Sequence, residues 1–171
     1  MVASASRGDS DAFAALIRRH DRPLRGLAFR LLEDAGAMDD ALQDAYVKAF
    51  IALPKFTGAS SFGTWLYRIV YNTCLDELRR RGRAPLVAGE DAIERGEGVY
   101  DGGDVVESAT DLARALAELS PDLRAAVILI DAEGMSYEEA SAILEIPLGT
   151  LASRVNRARA RLRSALSEGE R

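Results

Sequence analysis

Residues 136–166 of this chain are predicted to form a short helix, a tight turn and a second helix that is rich in arginine. Ser136 followed by Glu139 is a capping-box pattern, which marks the start of a helix. Pro147 and Gly149 indicate the turn. Four apolar residues of the second helix recur at three- and four-residue steps and therefore share one face, namely Leu151, Val155, Ala158 and Leu162. An apolar face with a cationic remainder, placed behind a short helix and a turn, predicts a helix-turn-helix unit that binds DNA.

The distribution of charge supports this prediction although the net charge of the chain is −5. Between residues 90 and 111, eight acidic residues face a single arginine, so this stretch carries −7 and the remainder of the chain carries +2. The bases concentrate at Arg79–Arg83 and at Arg154–Arg163. The distribution of charge along the chain is a better guide to its binding partners than the net charge is.

Composition excludes several classes of site. One cysteine, Cys74, and one histidine, His20, are too few for a disulfide framework or for a Cys/His zinc cluster. We interpret Cys74 as a buried small hydrophobic residue and His20 as a solvated helix residue. No apolar run approaches membrane-spanning length and the first residues do not resemble a signal peptide, so we expect a cytoplasmic chain without metal or cofactor.

The hydrophobic pattern predicts an all-α fold with two small helical domains. Residues 9–83 are predicted to be helical, with Pro23 bending or dividing the first helix and Gly36 ending it. Further helices are expected at Asp39–Leu53 and Phe62–Arg81. In the second of these three helices we expect the inward face to hold Leu42, Tyr46, Ala49, Phe50 and Leu53.

Residues 84–110 are rich in glycine and acidic side chains and show little periodicity, so they are predicted to form a flexible acidic linker. The second domain is expected at 111–167. Ser120 and Pro121 start a helix there with N-cap and first-turn chemistry, and Gly134 ends it.

Three blocks of this sequence resemble the extracytoplasmic-function class of bacterial sigma factors, which are members of the sigma-70 family. The blocks are AMDDALQDAYVKAF, SSFGTWLYRIVYNTCLDELRRR and LSPDLRAAVILIDAEGMSYEEASAILEIPLGTLASRVNRARARLR. The resemblance implies a region 2 domain at 9–83, an acidic linker at 84–110 and a region 4 helix-turn-helix domain at 111–167. It also implies that the chain binds core RNA polymerase, through the β′ coiled coil and the β flap, and directs it to promoter DNA. The resemblance further implies a separate anti-sigma factor as a partner, and it implies no small-molecule substrate.

The resemblance assigns polymerase binding to the helix at Asp39–Leu53. The matching residues there are Asp39, Asp40, Gln43, Asp44 and Lys48. An acidic helix edge suits a basic partner surface. A solvated helix face is the alternative that the charge pattern alone would favour.

The resemblance assigns the reading of the −10 element to the next loop and helix. Strand opening needs a pocket for an extruded base, aromatic surface for the melted strand and cations for phosphates. The matching residues are Lys55, Phe56, Ser60, Ser61, Phe62, Trp65, Arg68, Asn72, Arg79 and Arg80. Trp65 and Tyr71 have the helical spacing at which an aromatic residue usually lies in the core, so Asn72 is the better candidate for a base contact. The Arg79–Arg81 run is expected to contact phosphate, which gives affinity without sequence reading.

The resemblance assigns the reading of the −35 element to the last helix. The first residues of a recognition helix approach base edges, which selects Thr150, Ser153, Arg154, Asn156 and Arg157. Later arginines, namely Arg159, Arg161 and Arg163, are expected to contact phosphate or solvent. Ala152 and Glu145 depart from the family pattern, because the family usually has a basic residue at the first position and Glu145 adds an acid to the turn.

The acidic linker has two interpretations, an anionic segment that occupies a cationic channel of the polymerase or a plain spacer. Two other functions are alternatives to a sigma factor. A free-standing helix-turn-helix regulator would bind duplex DNA without polymerase. An enzyme on the same scaffold is the least supported, because the sequence shows no phosphate-binding loop, metal cluster or nucleophile–base spacing.

Overall fold

A computed structural model describes residues 1–82 and 107–169 of the chain. These residues form eight α-helices and no strand in the described ranges: α1 (Val2–Ala5), α2 (Ser10–Leu32), α3 (Ala35–Ala52), α4 (Phe62–Arg80), α5 (Glu107–Ala117), α6 (Pro121–Val127), α7 (Tyr137–Leu144) and α8 (Leu148–Gly169). A 3₁₀ turn, Leu53–Lys55, follows α3, and a π-helical segment, Ile128–Ala132, follows α6. The predicted all-α fold class is confirmed.

Side-chain caps fix where the helices of the first domain begin. Asp9, Asp34 and Ser61 each accept a hydrogen bond from the backbone N–H three residues later, at 3.0, 2.7 and 3.0 Å. Such a bond satisfies one of the amides that a helix start leaves without a partner. Each of these three residues is the N-cap of a helix: α2, α3 and α4 in turn.

Two details of the first domain differ from the prediction. The helix α2 runs without interruption through Pro23, so the proline does not divide it. Gly36 does not end that helix: α2 ends at Leu32, and Gly36 lies in the first turn of α3. The left-handed position that follows α2 is filled by Glu33, with φ of 56°.

The residues predicted to start and end helices in the second domain are confirmed. Ser120 is the N-cap of α6 with Pro121 in its first turn, and Gly134 takes φ of 65° after the π-helical segment. Ser136 and Glu139 form the reciprocal capping box, with bonds of 3.1 and 3.0 Å. The helix α5 begins at Glu107, so the last four residues of the predicted linker are helical. Most of that linker lies outside the described residues.

Each domain has leucines that are fully withdrawn from water, and the buried side chains of the two domains join. Leu24, Leu27 and Leu66 of the first domain are 0% exposed, as are Leu129 and Ile143 of the second, and all belong to one continuous apolar cluster. Burial of one such side chain contributes about 1.5–3 kcal/mol to folding. The two domains therefore pack against each other through apolar surface, chiefly where α4 meets α7 and where α2 meets α5 and α6.

Candidate nucleic-acid and protein interfaces

Three aromatic rings cluster where the loop after α3 meets the start of α4. The centroids of Phe56 and Trp65 are 5.1 Å apart, those of Phe62 and Trp65 are 5.6 Å apart, and those of Phe56 and Phe62 are 6.2 Å apart. Phe62 is 9% exposed, whereas Phe56 and Trp65 are half-buried. The cluster therefore has a buried floor and an accessible aromatic rim, a surface on which unstacked bases could pack.

The polar residues of the same loop differ in whether their side chains already have a partner. The hydroxyl of Ser61 caps α4 and lies 2.8 Å from the hydroxyl of Thr64. Ser60 donates a long hydrogen bond of 3.4 Å to the carbonyl of Ser61. Lys55 is exposed and has no acidic partner among the described residues, so its ammonium group is available to an anion.

The exposed side of α4 carries Arg68 and Asn72. Asn72 is exposed, and no described residue hydrogen-bonds to its side chain. Arg68 instead reaches the second domain, where its Nε donates to the carbonyl of Ala142 at 3.0 Å and its Nη1 lies 3.6 Å from Glu145 Oε1. In this structure a predicted DNA contact of the first domain is therefore engaged by the second domain.

The arginines at the end of α4 are paired with acids of the same helix. Arg79 bonds Asp76 at 3.0 Å, and Arg80 forms an ion pair with Glu77. Arg81 also contacts Glu77, at 2.5 Å, and lies 3.7 Å from Asp34. The ion pair of Arg79 with Asp76 links residues three apart on an exposed helix surface and is individually weak, so phosphate could displace Asp76 at little cost. The carboxylate that pairs with Arg80 is buried.

The helix α8 presents a polar start and a buried stripe. The stripe expected from periodicity is confirmed, because Leu151, Val155 and Ala158 are 0% exposed. Four predicted base contacts lie exposed on the other side and have no side-chain partner among residues of the described ranges: Thr150, Ser153, Asn156 and Arg157.

Arg154, the fifth predicted base contact, is half-buried and engaged. Its Nη2 lies 3.0 Å from Asp122 Oδ2 on α6. The other oxygen of Asp122 accepts a 3.5 Å hydrogen bond from the hydroxyl of Tyr71 on α4. Burial, together with the charge of Asp122, raises the pKa of Tyr71, so the phenol stays protonated and donates. Arg154 is thus linked through Asp122 to the first domain.

Arg159 has a partner that the sequence did not suggest. Its Nε and Nη2 donate to the two oxygens of Asp131 at 2.9 and 2.5 Å, a bidentate pair that joins α8 to the π-helical segment. This pair lowers the pKa of the Asp131 carboxyl. Arg161 and Arg163 are exposed.

The predicted polymerase-binding residues lie on one exposed face of α3. Asp40, Gln43 and Asp44 are exposed and have no partner in the part of the chain that the structure describes. Asp39 accepts a 2.7 Å bond from Arg25 Nη1. Lys48 donates to the hydroxyl of Thr73 at 3.3 Å and lies 4.0 Å from Asp76.

Sequence reasoning missed an apolar component of this face. Phe50 was expected to point inward, but it is 39% exposed and packs edge-on against Phe13, with centroids 5.1 Å apart. Val47 is 55% and Ile51 71% exposed. An open groove runs along this side of α3, lined by Phe13, Arg25, Asp39, Leu42, Gln43, Tyr46, Val47 and Phe50. We call Val47, Phe50 and Ile51 together with this groove the α3 apolar face. A local run of apolar residues at positions 47, 50 and 51 was the only signal for it.

Both Cys74 and His20 pack against other residues of the first domain. Cys74 is fully buried, as predicted, and burial raises the pKa of its thiol to about 12. His20 is not the solvated residue expected: it is half-buried, its ring centroid lies 5.8 Å from that of Phe62, and burial lowers its pKa. Within the described ranges, no cluster of three potential metal ligands occurs and no helix is long and apolar enough to cross a membrane.

Comparison with known proteins matches both domains to one family. The Sigma-70 region 2 family matches residues 16–84, and the Sigma-70 region 4 family matches residues 109–162. RNA polymerase sigma-H factor of Pseudomonas aeruginosa is 37% identical over 97% of this chain and 92% of its own length. ECF RNA polymerase sigma-E factor of Escherichia coli K12 is also 37% identical, over 93% of this chain and 88% of its own length.

Two solved structures have a similar overall fold. CnrH, in complex with the cytosolic domain of CnrY, is 28% identical with a TM-score of 0.74, covering 98% of this chain and 95% of that one. The sigma factor RpoE of Bartonella quintana, in complex with the anti-sigma factor NepR, is 34% identical with a TM-score of 0.71, covering 91% and 97%.

Proposed function

This chain belongs to the extracytoplasmic-function class of the sigma-70 family, and we propose that its first domain binds polymerase and the −10 element while its second domain binds the −35 element. It is an alternative sigma factor, which binds core RNA polymerase and directs it to promoters for transcription initiation. The observation that carries this conclusion is the presence, in one chain, of a region 2 and a region 4 domain in the order that sigma factors have. The free-standing helix-turn-helix regulator is not favoured, because it leaves residues 16–84 without a role.

We assign polymerase binding to the domain at 9–83, and within it to the exposed side of α3. The acidic and amide residues Asp39, Asp40, Gln43 and Asp44, with Lys48, surround the α3 apolar face. Apolar anchors inside a polar rim are the arrangement in which a few contacts supply most of the binding energy and the rim supplies specificity. The β′ coiled coil of the polymerase is the partner we propose for this face.

We assign the −10 element to the loop and helix at 55–80. The accessible rims of Phe56 and Trp65 provide a stacking surface, with Lys55 and Asn72 exposed beside the same loop and helix. In this assignment Phe62 supports the loop from below, and Ser61 sets the start of α4. Arg68, Arg79 and Arg80 would contact the DNA backbone once released from their present acidic partners.

We assign the −35 element to the domain at 111–167 and to the exposed start of α8. Thr150, Ser153, Asn156 and Arg157 face solvent on the side opposite the buried stripe, which supports base-edge contacts. Arg154 joins them only after its pair with Asp122 opens. The β flap of the polymerase is the proposed anchor of this domain, and residues 84–110 are the proposed acidic connection.

Two further features complete the proposal. The similarity to CnrH and to RpoE, both solved in complex with small partner proteins, supports an anti-sigma factor as a regulator of this chain. The factor would act in the cytoplasm and without catalytic activity of its own, because its role is to bind polymerase and DNA.

Reconstituted transcription tests the assignment of the two surfaces. We expect Arg157→Ala to lower run-off transcription from a promoter with a −35 element by about tenfold, since one specific base contact contributes about 1–3 kcal/mol, and to leave polymerase binding unchanged. We expect Asp40→Ala to weaken polymerase binding in a pull-down assay.

Matched controls are Arg114→Ala on the exposed side of α5 and Glu138→Gln on the exposed start of α7. Each removes one charge outside the proposed contacts and should behave like the wild type. Folded protein that neither binds core polymerase nor supports run-off transcription would refute the proposed function as a whole.

A further inference from the structure

Six residues of the described ranges take left-handed backbone angles, and two of them are not glycine. Four are glycines, at which an added Cβ would meet nothing within 4 Å: Gly8, Gly58, Gly82 and Gly134. The other two are glutamates, Glu33 and Glu145, each with φ of 56°. A side chain is disfavoured in this region, where glycine is the usual residue after a helix.

The local structure does not account for the choice of glutamate. Both residues follow the last turn of a helix, Glu33 after α2 and Glu145 after α7. In each case only the backbone N–H completes the helix end, by donating to the carbonyl of Phe29 or of Ser141. Glycine would make the same bond without the unfavourable contact of a Cβ, so the helix ends themselves give no reason for a carboxylate at these positions.

Both carboxylates contact an arginine of the opposite domain. Glu33 of the first domain forms an ion pair with Arg124 of α6, whose side chain is 7% exposed. Arg124 Nη1 also donates to the carbonyls of Arg30 and Leu31 at the end of α2, at 2.8 and 3.4 Å. The contact is thus built around the end of one helix of the first domain and one buried arginine of the second.

The second contact is the reverse of the first. Glu145 of the second domain lies 3.6 Å from Arg68 of the first domain, and Arg68 also donates to the carbonyl of Ala142 in the last turn of α7. Each domain therefore supplies one left-handed glutamate and one arginine. Each arginine pairs with the glutamate of the opposite domain and also donates to a carbonyl at the end of the helix that precedes that glutamate. We call the pairs Glu33–Arg124 and Glu145–Arg68 the glutamate latch.

We propose that the glutamate latch holds the free chain in its closed arrangement and keeps Arg68 from DNA until polymerase and promoter separate the domains. The effect on DNA rests on the role proposed above for Arg68, whereas the effect on closure does not. Removal of Glu33 should cost more than removal of Glu145, because Arg124 and Glu33 are 7% and 26% exposed whereas Arg68 and Glu145 are 34% and 58% exposed.

Replacement of both glutamates by glycine separates the latch from the fold. Glu33→Gly with Glu145→Gly keeps the backbone bonds at both helix ends and removes the two side chains together with their carboxylates. Hydrogen exchange of the full-length free chain should show amides of α7 exchanging about tenfold faster, which corresponds to about 1.4 kcal/mol. Small-angle scattering should give a larger radius of gyration, and circular dichroism should be unchanged. Glu33→Gly alone should have more effect than Glu145→Gly alone.

Two control variants test whether loss of the latch carboxylates is what opens the chain. The pair Glu33→Gln with Glu145→Gln retains side-chain length and should open the chain as well, while Glu138→Gln removes an exposed acid of α7 and should not. Wild-type exchange and radius in both double variants, or equal opening by Glu138→Gln, would overturn the latch.

A second test measures DNA binding by the free chain in the absence of polymerase. A fluorescent single-stranded oligonucleotide should bind the double glycine variant about tenfold more tightly than the wild type, and adding Arg68→Ala should abolish the gain. Opening without any gain would overturn the covering of Arg68 but not closure. Because exchange and scattering need neither polymerase nor promoter, a chain inactive in transcription would refute the proposed function and leave the result on closure standing.

Discussion

Two serines of this chain occupy equivalent N-cap positions but make different bonds. Ser136 caps α7 through its hydroxyl and is part of a capping box, whereas Ser120 caps α6 with no side-chain hydrogen bond. A cap that hydrogen-bonds satisfies an amide that would otherwise rely on water. The residue type alone predicted both helix starts and could not distinguish their energies.

We therefore expect Ser136→Ala to lower the free energy of unfolding by about 1 kcal/mol, and Ser120→Ala by only a few tenths of that. Urea unfolding followed by circular dichroism measures both values under the same conditions. A loss at Ser120 equal to that at Ser136 would show that the hydroxyl bond of the capping box is not what stabilises α7.

Asp131 provides a dependence of stability on pH. The bidentate hydrogen bond from Arg159, and secondarily its charge, lowers the pKa of this carboxyl below its ordinary value of 3.8. The pair therefore stabilises the folded chain fully above pH 3.8 and loses its effect as pH falls through the lower, folded-state value.

Asp131→Asn should therefore destabilise the chain at neutral pH, and its difference from the wild type should shrink as the solution is acidified below about pH 4. Chemical unfolding of both proteins at a series of pH values measures this difference. A difference that stays constant down to the acid transition would show that the Asp131 carboxylate contributes nothing through its charge.

At the scale of elements, periodicity predicted a helix well where its apolar residues fall on one stripe. The buried face of α8 follows this rule, because Leu151, Val155 and Ala158 are all 0% exposed. In α3 it was less successful. Leu42, Ala49 and Leu53 fill the inner stripe as predicted, but Phe50 falls beside it and stays exposed. When a helix has apolar residues on two sides, its hydrophobic periodicity alone does not show which side faces the core.

The outer apolar side of α3 gives a prediction specific to that helix. Ile51→Ala should leave the free energy of unfolding within about 0.5 kcal/mol of the wild type, because the side chain is 71% exposed. It should weaken binding to core polymerase by about 1–2 kcal/mol if the side chain is an anchor of that interface. Titration of fluorescent core polymerase measures the affinity, and Phe29→Ala on α2, where the side chain is 44% exposed, is the control. Equal affinities of wild type and Ile51→Ala would exclude Ile51 from the interface.

For the molecule as a whole, the contacts that join the two domains could not be predicted from sequence. Arg124 and Arg30 are 94 residues apart, and no local pattern relates them. The same holds for the pairing of Arg68 with Glu145, which the sequence showed only as an acid in a turn. The domains themselves were predictable because caps and periodicity are local, whereas their mutual arrangement depends on long-range packing.

This arrangement is too compact to read a promoter. A compact chain of 171 residues has a radius of gyration of about 16 Å. The −10 and −35 elements are about 25 base pairs apart, or about 85 Å of duplex at about 3.4 Å per base pair. The proposed contacts of both domains, Arg68 and Arg154, are moreover engaged at or next to the domain interface. Binding to both elements therefore requires the domains to separate.

Fluorescent labels on cysteines introduced at Ala35 and Ala160, both exposed, measure this separation. Native labelling should spare Cys74, which is fully buried and has a pKa raised to about 12. Energy transfer should be high in the free chain and should fall severalfold when core polymerase and promoter DNA are added, because the two domains move apart by tens of ångströms. A pair at Ser10 and Ala35, both in the first domain, should show no change. Transfer that stays high at Ala35 and Ala160 in a transcriptionally active complex would show that the closed arrangement itself binds the promoter.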